Sequence, residues 1–106
     1  MVKRFEIYLV NLDSEVSDDP KNTRPAVVIS PDEMNRFLEN VLIAPISSTK
    51  LKYPTRVAIQ FLNSERAVIL DQIRSVEIER LVKKVGEVDE RSQKAILDRL
   101  AELFAE

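Results

Sequence analysis

The apolar residues of this chain fall in short runs of about four to eight, broken by polar or proline-bearing segments, and only the final stretch repeats at helical spacing. Phe5 to Asn11 alternates Phe5, Ile7 and Leu9 with Glu6, Tyr8 and Val10, which predicts a strand. Ala26 to Ile29 is a continuous apolar run and reads as a buried strand. Val41 to Ile46 reads as a central strand ending around Pro45, because proline cannot donate to a ladder. Arg56 to Phe61 alternates again, and the run from Ala67 to Leu70 continues toward Val76. Val82 to Val88 predicts a last strand, with Gly86 at a bulge or turn. The polar segment 13–23 has no period and reads as a loop.

Two helices are expected. Ser30-Pro31-Asp32-Glu33 has the signature of a helix start: Ser30 as cap, Pro31 at the first helical position, Glu33 closing a capping box. That helix runs to about Leu38. Asp89 caps a C-terminal helix in which Ile96, Leu97, Leu100, Leu103 and Phe104 form one apolar stripe. The pattern predicts a mainly β fold with appended helices, a small, partly open barrel with a helix at the end. Edge strands on such a barrel need covering, and a symmetric dimer covers them.

Composition narrows the chemistry. The chain has 106 residues, the size of one domain spanning 1–106. It contains no histidine and no cysteine, so imidazole acid–base work, thiol nucleophiles and Cys/His zinc sites are excluded. Its single glycine, Gly86, excludes a P-loop and a Gly-rich dinucleotide motif. No cofactor and no metal are expected. No apolar run approaches the roughly 18 residues that cross a bilayer, and Met1 is followed by Lys3, Arg4 and Glu6 rather than a leader, so a cytoplasmic protein is expected.

Net charge is −2, but it is unevenly spread. Between Glu39 and Glu65 there is no acid, while Lys50, Lys52 and Arg56 surround Tyr53. Cations, hydroxyls and an aromatic ring suit phosphates and unstacked bases. A solvated basic loop is the plainer alternative. From Glu77 onward eight acids face six bases, which reads as a solvated helix face.

Taken in order, Ile7-Tyr8-Leu9-Val10-Asn11-Leu12, Arg24-Pro25-Ala26-Val27-Val28-Ile29-Ser30-Pro31-Asp32, Ile43-Ala44-Pro45-Ile46-Ser47-Ser48, Tyr53-Pro54-Thr55-Arg56 and Leu70-Asp71-Gln72-Ile73-Arg74-Ser75-Val76 resemble the MazF/PemK family of toxin–antitoxin ribonucleases along nearly the whole chain. The resemblance implies an SH3-like barrel, a homodimer, a cognate antitoxin protein and metal-independent cleavage of single-stranded RNA. The expected products carry a 2′,3′-cyclic phosphate and a 5′-hydroxyl. Internal attack by a ribose 2′-hydroxyl needs no external nucleophile. It needs two proton transfers and stabilisation of the phosphorane charge.

The same resemblance assigns residues. Arg24 matches the catalytic arginine; its planar fork can hold two phosphate oxygens, and its high pKa suits charge stabilisation and proton donation to the leaving oxygen rather than the role of base. Its alternative is pairing with a carboxylate. Ser47 stands where threonine is usual and can donate to a nonbridging oxygen, with Ser48 as a substitute; otherwise it ties up strand-end backbone. Asp71 matches a position implicated as a base, or is a turn residue paired with Arg74. Gln72 is a base reader. Tyr53 and Thr55, with Lys50 and Lys52, lie in the stretch expected to meet RNA, Tyr53 stacking on a splayed base or anchoring the loop. Two departures stand out: Phe5-Glu6 replaces a glycine–aspartate pair, and the segment from Ser14 to Pro20 lacks glycine. Two other readings use the same fold: a non-enzymatic topoisomerase poison of the CcdB type, acting through C-terminal residues, and a degenerate member that only binds RNA or its antitoxin.

Overall fold

A computed structural model describes residues 1–12, 22–47 and 55–105. The strands are β1 (Glu6–Asn11), β2 (Thr23–Val28), β3 (Asn40–Ser47), β4 (Arg56–Phe61), β5 (Ser64–Ile69), β6 (Arg74–Glu77) and β7 (Leu81–Glu87); the helices are α1 (Asp32–Phe37) and α2 (Glu90–Phe104). They form one antiparallel sheet in the order β4-β5-β3-β2-β1-β7, with β6 paired to the same edge of β3 as β5. The sheet curls into a half-barrel. One cause is β7, where Val85 and Val82 each lack an opposite residue in the pairing with β1. Such bulges bend and twist a strand. The first of them adjoins Gly86, as the sequence suggests.

Curling gives the sheet two buried faces. On one, Val10, Ala26, Val28, Val41, Ile43 and Val76 fill the hollow of the half-barrel. On the other, Ile7, Val27, Ala44 and Ile46 pack against Val57, Ile59, Phe61 and Val68 of the β4–β5 hairpin and against Ile96 of α2. Hence β1 does not show the half-buried alternation expected of it. Ile7 and Val10 are both fully covered, one on each side.

β3 is longer than the sequence suggests and runs through Pro45. Its outer edge pairs with β6 at Asn40 to Ile43 and with β5 at Ile46 and Ser47. Pro45 falls between these two ladders, where a missing N–H disturbs neither. The apolar run after β5 is likewise interrupted, by a 3₁₀ turn at Leu70–Gln72. The β4–β5 connection is a two-residue turn in which Leu62 and Asn63 both have positive φ, 52° and 60°. That is the backbone twist a tight hairpin needs.

Ser30 does not cap α1. Its hydroxyl donates to the Asn35 side chain and accepts from the Leu42 amide at 3.1 Å, while Asn35 Nδ2 donates to the Ser30 carbonyl at 3.0 Å. Both residues are buried, so these bonds satisfy groups that water cannot reach. The helix begins one residue later, with Pro31 at its cap position and no side-chain cap. Asp32 instead accepts from the Arg4 amide at 2.7 Å and ties down the N-terminal segment. Asp89 does cap α2, accepting from the Ser92 amide at 2.7 Å.

The departure at Phe5-Glu6 has a structural answer. Phe5 has φ 72°, the left-handed region that favours glycine. Its amide donates to Val28 O at 2.7 Å, its carbonyl accepts from Val88 N at 2.9 Å, and its ring is buried. Core burial and two backbone bonds thus hold a conformation that costs about 1 kcal/mol or more. Next to it, Glu6 is buried and accepts from the Lys3 amide at 2.6 Å and Tyr8 Oη at 3.2 Å, with Lys84 Nζ 2.8 Å away. Burial pushes the Glu6 carboxyl up, but the Lys84 and Lys3 hydrogen bonds outweigh it and hold the group below the usual glutamate range. A depressed carboxylate stabilises the fold above its unfolded pKa and loses that contribution as pH falls through the folded value. Glu6→Gln is therefore expected to be less stable than the parent at pH 7. The gap between the two urea midpoints should close as pH falls through the lowered folded-state pKa of Glu6; a pH-independent gap counts against this role.

Candidate RNA-binding site

The site is assembled where β2, β3 and β6 meet at the open end of the half-barrel. β2 and β3 pair as Ala26↔Pro45, Val27↔Ala44 and Val28↔Ile43. Continued by two residues, that register sets Arg24 across from Ser47. β6 brings Arg74 opposite Ile43. Because side chains alternate along strands, Arg24, Ala26, Ile43, Pro45 and Arg74 share one face. They line a cleft of about 240 Å³ with an apolar floor from Leu12, Ala26, Ile43 and Pro45 and a polar rim of Arg24, Gln72 and Arg74.

The rim is cationic. Arg24 is exposed, and its Nη1 donates to the Thr23 carbonyl at 3.0 Å. Among the described residues it pairs with no carboxylate, and no acidic side chain lines the cleft. Two guanidiniums over an apolar floor suit an anion carrying an apolar body, such as a nucleotide.

The other expected residues divide into three groups. Gln72 lies on the rim with Arg24, brought there by the 3₁₀ turn. Ser47 closes β3 two residues beyond Pro45 and is half-buried; Asp71 is exposed one residue before Gln72 and accepts from Thr55 Oγ1 at 3.0 Å. Thr55 is thus tied to Asp71, and Asp71 makes no ion pair with Arg74 among the described residues. Ser48, Lys50, Lys52 and Tyr53 lie outside the described residues. Arg74 was assigned no RNA role from the sequence, although strand pairing places it beside Ile43; only the β3–β6 register reveals it.

A larger hollow of about 700 Å³ sits beside α1, but Glu39, Glu77 and Glu79 line it. A hydrogen bond and charge repulsion from Glu77 raise the Glu79 carboxyl above its usual range. That rim repels phosphate.

Residues 3–104 match the family model described as PemK-like, MazF-like toxin of type II toxin-antitoxin system. The chain belongs to this family. Among MazF-like relatives, Endoribonuclease EndoA of Bacillus subtilis is 31% identical over 96 residues, covering 85% of this chain and 83% of that protein. Endoribonuclease MazF of Staphylococcus saprophyticus is 28% identical over 102 residues, covering 91% and 85%. The fold matches that of an endoribonuclease solved in complex with its cognate antitoxin from Mycobacterial species, with TM-score 0.81 and 22% identity over 96% of this chain and 93% of that one. The MazF-like fold is thus the small curled β-sheet with a C-terminal helix expected from the sequence.

Proposed function

We propose that this MazF-like toxin is an endoribonuclease that cuts single-stranded RNA without a metal, by attack of a ribose 2′-hydroxyl on the adjacent phosphorus. The 2′-oxygen forms the new bond to phosphorus as its proton leaves. The 5′-oxygen departs and takes up a proton, so the ends are a 2′,3′-cyclic phosphate and a 5′-hydroxyl. The observation that carries this reading is Arg24 at the rim of a cleft that it shares with Gln72 and Arg74, with no carboxylate paired to it among the described residues.

Arg24 stabilises the phosphorane oxygens and can supply the leaving-group proton. The Ser47 hydroxyl, across the β2–β3 register, donates to a nonbridging oxygen, with Ser48 as its substitute. Asp71 takes the 2′-proton, its carboxylate positioned by Thr55. Gln72 reads a base edge through its amide. Lys50 and Lys52 hold phosphates and Tyr53 stacks on a base. A cognate antitoxin neutralises the toxin, and the working form is a homodimer that covers edge strands. With no histidine or cysteine in the chain, imidazole and thiolate ligands are lacking.

Digestion of a long defined RNA in EDTA, with both ends of each cut mapped, tests the reading. Cuts at one short sequence with cyclic-phosphate and 5′-hydroxyl ends are expected. Cleavage that disappears on chelation, or ends bearing a 5′-phosphate, overturns it.

A further inference from the structure

Three arginines from two elements, Arg56 of β4 and Arg91 and Arg99 of α2, line a second cleft of about 280 Å³ between them. Among the described residues no acidic side chain lines it; the remaining walls are small, including Ala58 and Ala95. Arg91, Ala95 and Arg99 recur every fourth residue, so they lie on one helix face, and the two arginine backbones are about 12 Å apart. Arg56 opens β4. Arg99 gives one arm to Glu102 at 3.1 Å, with side chains 45% and 67% exposed. A surface pair of that kind is weak and exchanges readily for a better anion.

The position of this cleft gives it meaning. The walls of both clefts meet at the 3₁₀ turn Leu70–Gln72. Gln72 lines the Arg24 cleft, while both β4 and α2 pack on the same turn. Thr55, the neighbour of Arg56 in the chain, is bonded to Asp71 of that turn. Two cationic clefts therefore flank one short element that carries the proposed base and base reader.

We propose that the Arg56–Arg91–Arg99 cleft binds phosphates of the RNA strand outside the cut site, as a sequence-independent anchor that extends the Arg24 groove across the 3₁₀ turn. The proposal rests on the ribonuclease reading above. Guanidiniums match phosphate oxygens bidentately, and the cleft offers no base-reading amide, so it adds affinity rather than sequence choice. The 3₁₀ turn that borders both clefts and carries the proposed base favours RNA over an acidic protein segment.

The test uses the full chain and binding rather than cleavage. Uncleavable 2′-O-methyl oligouridylates of about 4 and about 16 nucleotides are titrated against the parent and the Arg91→Gln/Arg99→Gln double variant at several salt concentrations. The variant should bind the long strand about tenfold more weakly and the short strand unchanged, and its log–log salt slope should fall by about 1.4, or 0.7 per lost contact. Arg91→Lys/Arg99→Lys, which keeps the charge, should restore most of the slope. Equal losses for both lengths, or no loss, overturn the proposal. So does a variant that loses oligoglutamate binding while keeping the long RNA, since the cleft then belongs to an acidic protein partner. Failure of the ribonuclease reading shows separately, as natural RNA left intact by the parent protein.

Discussion

Arg24→Ala should lose RNA cleavage by about 10²–10³-fold or more while folding as the parent does. The two halves of this expectation have different causes. Arg24 is exposed and its hydrogen bond goes to the carbonyl of its own neighbour, Thr23, so truncation empties no core space. The chemistry, by contrast, builds negative charge on phosphorus-bound oxygens, and a preorganised donor aimed at such charge is worth about 3–4 kcal/mol. Arg24→Lys keeps a charge but loses the planar fork, so an intermediate rate is expected. Cleavage in EDTA, set beside circular dichroism and Tm, checks both halves. Full activity in the alanine variant removes Arg24 from the site. Toxicity that persists in Arg24→Ala and vanishes with C-terminal substitutions favours a CcdB-like poison instead.

The largest stability effect is expected at Ile96. It is 0% exposed and is the buried residue by which α2 joins the core beside the β4–β5 hairpin. Ile96→Ala removes three carbons from a closed space, which costs about 2–5 kcal/mol. For a domain near 100 residues each kcal/mol shifts Tm by about 4–8 °C, so a fall of about 8–40 °C is expected. Phe104 was placed on the same stripe by its spacing, yet it is 75% exposed. Phe104→Ala should change stability by no more than about 0.5 kcal/mol. Thermal denaturation of the two variants side by side decides the matter: similar losses would mean that α2 is docked along its whole length.

How far the sequence carried the fold depends on which interactions set each element. β4 and the Asp89 cap of α2 were legible, because alternation over Arg56 to Phe61 and an N-cap acid are local signals. Ser30 misled for an instructive reason. A serine before Pro-Asp-Glu has the right local chemistry for a cap, but its hydroxyl is taken by buried Asn35 and by Leu42, distant in sequence. Pro45 misled similarly, since the gap between the β5 and β6 ladders is visible only when both partners are in place. Phe5 in a glycine conformation and Leu62 in a tight turn are held by their surroundings, not by their own preferences.

By itself the sequence determined a small mainly β fold with a capped C-terminal helix, a chemistry without imidazole or thiol, and, through the order of its motifs, a MazF-like family. Those follow from periodicity, side-chain type and chain order, which are properties of neighbours along the chain. Tertiary structure alone decided that Arg24 shares a cleft with Gln72 and Arg74, that Thr55 binds Asp71, and that Arg56 meets Arg91 and Arg99. Each of these joins residues from different elements, and what brings them together is the register of a curled sheet, fixed only when all its strands pack at once.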